Sequence, residues 1–241
     1  MSGWFIRALP GGDDPLLFGL PYTGMGASSY HDWPAQVGGF HLVPLQPPGR
    51  EGRFREGVHQ SHAAFAEDLV AAIGPYTDRR YAITAHCGAV PYALETVWRV
   101  HSLGLAPPVR LLASSWGAPQ RGLYGRLNHI DLSTLDGIAE VKAMGARLGR
   151  PVPDDLADLL ADVLEEELRI QRGYHYRAEK PLPCPVTVVG WSEDDVVPDR
   201  EVHQGWEEVA KVRHETLDGR HRDYLSCPPA LREVLLRDLE A

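Results

Sequence analysis

The heptapeptide Thr84-Ala85-His86-Cys87-Gly88-Ala89-Val90 sets a cysteine among small residues. It follows an apolar, strand-like run, Tyr81-Ala82-Ile83, and leads into a helical stretch from Pro91 to Val100. A small-x-nucleophile-x-small pattern at a strand-to-helix turn is the layout of a nucleophile elbow, usually written G-x-S-x-G. Alanines replace both glycines here and cysteine replaces serine, so a covalent acyl intermediate would be a thioester rather than an ester. Such a nucleophile needs a base to take its proton, an acid to orient that base, and donors for the oxyanion. His221, in Leu217-Asp218-Gly219-Arg220-His221 just past a strand, is the candidate base. Glu193, Asp194 and Asp195 compete for the acid, all in the loop that follows the strand Pro185 to Val189. The first turn of the helix after Cys87 would point backbone N–H groups at the sulfur, and its dipole favours the thiolate. The N–H of Gly88 would supply half of an oxyanion hole. The loop Pro21-Tyr22-Thr23-Gly24-Met25-Gly26 would supply the other half, through the N–H of Thr23.

The remaining reactive side chains lack such a setting. Cys184 and Cys227 read as packing residues. His86 fills the variable slot of the elbow and is expected to order the loop. His59 and His62 stand at i, i+3 with no third ligand at a recognisable spacing, so no metal is expected. His203, four residues before Glu207, reads as half of a solvated helix-surface pair.

The elements that must position these residues alternate between short β-rich runs and longer helical patterns. Phe5 to Leu9, Pro15 to Pro21, His41 to Leu45, the run before Cys87, Val109 to Ala113, Pro185 to Val189 and His214 to Leu217 read as strands. His62 to Ile73 has helical periodicity, with Phe65, Leu69, Val70 and Ile73 on one face, and a second helix is expected from about Asp199 to Ala210. This alternation predicts an α/β fold, a mostly parallel sheet with helices on both faces. From Leu132 to about Arg177 only helical patterning occurs, which reads as a lid inserted over the active-site end.

The 241 residues suit one α/β domain, and 44% hydrophobic with 24% charged residues is ordinary for a globular protein. No run of 18 apolar residues is present, and the N-terminal residues show no secretory signal, so no membrane span is expected. Three widely spaced cysteines fit a reduced, cytoplasmic chain. A net charge of −9 argues against broad nucleic-acid binding.

Taken together, these segments resemble the type II thioesterases that accompany nonribosomal peptide and polyketide synthases. Leu17 to Ser28 is similar to the family's strand and P-x-A-G-G-G-A-S loop, and Leu45 to Phe54 to its L-P-G-R-E-x-R-F signature. The elbow stands where the family has G-H-S-M-G, and Gly173-Tyr174-His175-Tyr176-Arg177 is similar to its lid exit. Asp194-Asp195-Val196-Val197 and Gly219-Arg220-His221 match its acid and histidine motifs, which favours Asp194 among the three acids. The resemblance implies a single α/β-hydrolase domain over residues 1–241 with a helical lid at about 119–178. It also implies no cofactor of the protein's own, and a substrate carried as a phosphopantetheine thioester on an acyl or peptidyl carrier protein. Typical members hydrolyse wrong or stalled acyl groups, whereas relatives with cysteine at this position resemble aminoacyl shuttles between carriers. Because Cys87 exchanges thioester for thioester, transfer to a second thiol or amine is the leading expectation, hydrolytic editing the alternative, and carrier binding without turnover the third. Gly88, where the family has methionine, is expected to leave room for a bulkier acyl group or an acceptor. Arg50, Arg53 and Arg55 read equally well as a local basic spot for an acidic carrier and as ordinary surface charge.

Overall fold

A computed structural model describes residues 3–147, 149, 151–177 and 180–240. Met1, Ser2 and the far limit of the expected lid at 178 lie outside the described residues. Along the chain run β1 (Leu16–Gly19), β2 (Gln36–Val37), β3 (Phe40–Pro44), α1 (His62–Ile73), β4 (Tyr81–His86) and α2 (Val90–Ser102). There follow β5 (Leu111–Ser114), α3 (Gly137–Arg147), α4 (Asp154–Arg172), β6 (Val186–Trp191), α5 (Asp199–Val202), β7 (Val212–Leu217) and α6 (Pro229–Glu240). The seven strands form one sheet in the order β2-β3-β1-β4-β5-β6-β7, parallel throughout except for the β2–β3 pair.

Successive strand residues point to opposite faces, and here both faces are buried. Phe18, Ile83, Leu111 and Val188 lie in one apolar cluster, with α1 and α2 residues such as Leu69 and Val97. Their neighbours Leu17, Ala82, Leu112 and Val189 lie in a second cluster, with Leu231, Val234, Leu235 and Leu239 of α6. Burial on two sides is why these strands read as unbroken apolar runs rather than alternating ones. α1 begins where the Ser61 side chain accepts the Ala64 N–H, an N-cap that satisfies one otherwise orphaned donor.

The strand order reverses between β1 and β4. In open α/β sheets the crevice at the carboxyl ends of strands beside such a reversal is where ligands bind. Thr23 follows β1 and Cys87 follows β4, so both sit at this point.

Two expected elements differ. Phe5 to Leu9 is not a strand: only Phe5 makes an isolated bridge, to Leu45. Ile6, Arg7 and Ala8 are exposed, so the segment has no buried face to pair against a neighbour. The helix expected from Asp199 to Ala210 stops at Val202, because Gly205 adopts φ +88°, and only a short 3-10 turn, Trp206–Glu208, follows. His203 therefore does not pair with Glu207. It shares hydrogen bonds with Asp199 (3.0 Å) and His214 (3.0 Å), while Glu207 binds His214 (2.6 Å).

The segment between β5 and β6 holds three 3-10 turns, α3 and α4, and contains no strand among the described residues. Val141, Ala157, Leu164 and Leu168 give it a small apolar cluster of its own. No helix among the described residues is long and apolar enough to cross a membrane.

Candidate active site

β4 delivers Cys87 into a 3-10 turn, Cys87–Ala89, which runs directly into α2. Cys87 has φ +54°, a left-handed conformation that a non-glycine residue holds only where the surroundings impose it, as they do at a nucleophile elbow. The flanking alanines fit because neither needs that conformation. Ala85 lies within β4, and Ala89 has φ −77°, ψ −19°. Both are buried, while Cys87 is half-buried and lines a cavity of about 500 Å³.

His221 is brought to the same cavity from the turn that follows β7. Its Nδ1 bonds both carboxylate oxygens of Asp194, at 3.0 and 2.9 Å, which selects Asp194 among the three competing acids. Asp194 Oδ1 also accepts the backbone N–H groups of Val196 and Val197, each at 2.8 Å. Glu193 instead reaches out to Arg220 (3.2 Å), and Asp195 is exposed.

Burial opposes charge on Asp194, but His221 and the Val197 N–H outweigh it and hold the carboxyl below the usual carboxylate range. Burial likewise opposes the His221 imidazolium. Cys87 and Asp194 overcome that, raising the ring well above the ordinary histidine range. His221 Nε2 has no well-aligned hydrogen-bond acceptor among the described residues, so its coupling to Cys87 is chiefly one of charge. The arrangement is a thiol beside a ring that favours the imidazolium, with a buried carboxylate behind it. Such an arrangement supports nucleophilic attack by sulfur followed by proton return to a leaving group.

The loop of residues 21–26 lies against the elbow. A Cβ built on Gly88 would sit 2.5 Å from Thr23 Oγ1. The space that glycine was expected to open for an acyl group is thus occupied by the Thr23 hydroxyl, and Gly88 serves close approach instead. The loop is tied from three sides. Glu51 Oε1 accepts the N–H groups of Gly26 (3.1 Å) and Ser28 (3.2 Å), Gln46 Oε1 accepts that of Ala27 (3.0 Å), and Glu167 Oε2 of α4 accepts that of Gly24 (2.7 Å).

Glu167 also forms a buried ion pair with Arg50. This corrects the reading of Arg50 as part of a surface basic spot, since only 8% of its side chain is exposed and its charge is spent inside the molecule. Arg53 is likewise engaged, by Glu56 and the Gln46 carbonyl. Sequence reasoning missed Gln46, Glu51 and Glu167 as organisers of the site, although the first two flank Arg50 in a motif that it singled out.

The other singled-out residues fall outside the chemistry. His86 is fully buried, stacks on Tyr224 (4.4 Å, 8°) and on Tyr22 (5.5 Å, 28°), and shares a hydrogen bond with Ser114 Oγ (2.9 Å). It packs the floor beneath His221, whose ring lies 4.4 Å away. Cys184 and Cys227 are buried, and burial pushes both thiols up to about 12. His59 binds Asp68 (3.0 Å) and His62 binds Gln171 (3.2 Å), so the i, i+3 pair is divided between separate partners.

No family model matches the chain. It is similar to the gramicidin S biosynthesis protein GrsT of Aneurinibacillus migulanus, with 24% identity over 224 residues covering 88% of this chain and 83% of GrsT. It is also similar to the thioesterase PikA5 of Streptomyces venezuelae, with 26% identity over 203 residues covering 83% of this chain and 72% of that protein. Among solved structures, the type II thioesterase BorB from the borrelidin biosynthetic cluster superposes with a TM-score of 0.79 at 22% identity, over 98% of this chain and 97% of BorB. The chain has the α/β-hydrolase fold of these thioesterase structures.

Proposed function

We propose that the protein is a thioester-cleaving enzyme that releases acyl groups from carrier proteins of a nonribosomal peptide or polyketide assembly line. The single observation that carries this reading is the meeting of Cys87 and His221 at one cavity, with Asp194 bonded behind the His221 ring; the N–H groups of Gly88 and Thr23 are the oxyanion donors that this reading assigns. The similarity to GrsT, PikA5 and BorB supports the substrate class.

In the proposed sequence the Cys87 thiolate attacks the carbonyl carbon of a phosphopantetheine thioester. The tetrahedral oxyanion is held by the Gly88 and Thr23 N–H groups. As it collapses, the carbon–sulfur bond to pantetheine breaks and His221 protonates the departing thiol. His221 then takes a proton from water, which attacks the Cys87 thioester and releases the free acid. The thioesterase relatives favour this hydrolytic ending over the transfer ending that the cysteine first suggested.

One observation keeps transfer as a second reading. Cys87 holds the acyl group as a thioester, so its passage to another pantetheine thiol exchanges like for like and is nearly balanced. Intact-protein mass spectrometry separates the two. Wild type incubated with carrier-bound acyl thioesters is expected to gain the acyl mass at Cys87 and lose it to free acid at a rate unaffected by an unloaded second carrier. Prompt movement to that second carrier would establish transfer. Acyl mass on Cys87→Ala would reject the covalent mechanism altogether.

A further inference from the structure

Gln171 lies on α4, one helical turn after Glu167, and lines the cavity. Only 6% of it is exposed. Its Cδ lies 4.0 Å from the position that a Cβ on Gly88 would take, so the amide stands beside the backbone that flanks the nucleophile. Its Oε1 is 3.2 Å from His62 Nε2. Its Nε2 has no hydrogen-bond acceptor among the described residues.

His62 is the polar neighbour that the amide oxygen meets. The ring is buried and clamped between Tyr92 (3.9 Å between centroids) and Tyr174 (4.4 Å). Burial holds its basicity down to about 4, so near neutral pH the ring is uncharged and has one N–H to give. In the tautomer with its hydrogen on Nε2, the ring donates to Gln171 Oε1, which engages the amide oxygen and leaves the NH2 for a ligand. A buried amide donor without an acceptor is costly, so a ligand that supplies the acceptor is favoured over one that does not.

We infer that Gln171 is a specificity-determining residue, whose NH2 donates to an oxygen acceptor carried on the acyl chain close to the thioester carbonyl. The preferred substrates are then acyl groups with a hydroxyl, keto or amide oxygen near the thioester, rather than plain alkyl chains of the same length. This inference rests on the proposed acylation of Cys87 and adds the class of acyl group to it.

The test compares butanoyl and 3-hydroxybutanoyl pantetheine thioesters, both enantiomers of the latter, by pantetheine thiol release and by mass gain at Cys87. Wild type is expected to load one hydroxylated enantiomer faster than butanoyl by on the order of tenfold. Gln171→Met, similar in length and lacking the donor, is expected to bring that ratio close to one. Equal loading of all three chains by wild type overturns the inference, and that result needs no variant to fold. A Gln171→Met protein that slows the chains alike and keeps the ratio also overturns it, leaving acylation of Cys87 standing. Failure of wild type to load any chain overturns the acylation reading itself.

Discussion

Thr23 and Gly88 fill a single volume, and the consequences can be measured one residue at a time. Any side chain at position 88 meets the Thr23 hydroxyl, so Gly88→Met is expected to slow Cys87 acylation at least tenfold and lower the Tm. Thr23→Ala combined with Gly88→Met is expected to recover most of both losses, and equal damage in the single and double variants would refute the shared volume. Asp194→Asn keeps the shape but removes the charge that supports the His221 imidazolium. It also brings an amide toward the Val196 and Val197 N–H groups. Acylation is expected to fall by about 10² to 10⁴-fold, read from single-turnover thiol release. A loss smaller than tenfold would show that His221 does not depend on this carboxylate.

At the scale of elements, α4 is fastened to the loops that carry Gly24 and Arg50 by one carboxylate. Removing Glu167 strands the Arg50 guanidinium in the interior and releases the Gly24 N–H. Glu167→Gln is expected to cost about 3 kcal/mol, a Tm drop of roughly 6–12 °C, and to speed amide exchange at Gly24. The double change Arg50→Met with Glu167→Met should restore the Tm while leaving Gly24 unprotected, which separates the ion pair from the loop tether. A Gly24 amide that stays protected in both variants would remove Glu167 from the loop's support. Most of these elements were legible in the chain. α1 spans the residues that its periodicity indicated, and β4, the elbow and α2 follow the strand–turn–helix reading. Thr23, Gly88, Cys87, Asp194 and His221 are all brought to one end of the sheet. What escaped depends on contacts distant in sequence. Glu167 reads as one of three consecutive glutamates, and nothing local tells it apart from Glu165 and Glu166, which pair with Arg169 on the surface. Gly205 ends a helix through a positive φ that periodicity does not weigh. α6 is legible in the spacing of Leu231, Val234, Leu235 and Leu239.

For the whole molecule, buried histidines set the acid limit of stability. The values for His62, held down to about 4, and for His86, held well below normal, are both depressed by burial. Stability from each is present above the unfolded value near 6.5 and is lost as pH falls toward the folded one. His62 alone contributes up to about 3 kcal/mol across that window, at about 1.4 kcal/mol per pH unit. His221, raised by Cys87 and Asp194, acts in the opposite sense: its contribution is full below 6.5 and is lost as pH rises through its folded value. Thermal melts are therefore expected to show a broad maximum near neutrality and a Tm that falls steadily from pH 6.5 to 4.5. His62→Phe should make that acid limb shallower, and an unchanged slope would assign the loss to other groups.

The parallel sheet places Cys87 after its fourth strand and His221 after its seventh, with all of the inserted helices between them. A ribosome making this chain therefore delivers the sulfur long before the ring proposed to activate it. Until β7 has been synthesised and added to the sheet edge, the thiol lacks the base proposed for it. On the proposed mechanism the nascent chain is therefore disarmed until its last strand is in place.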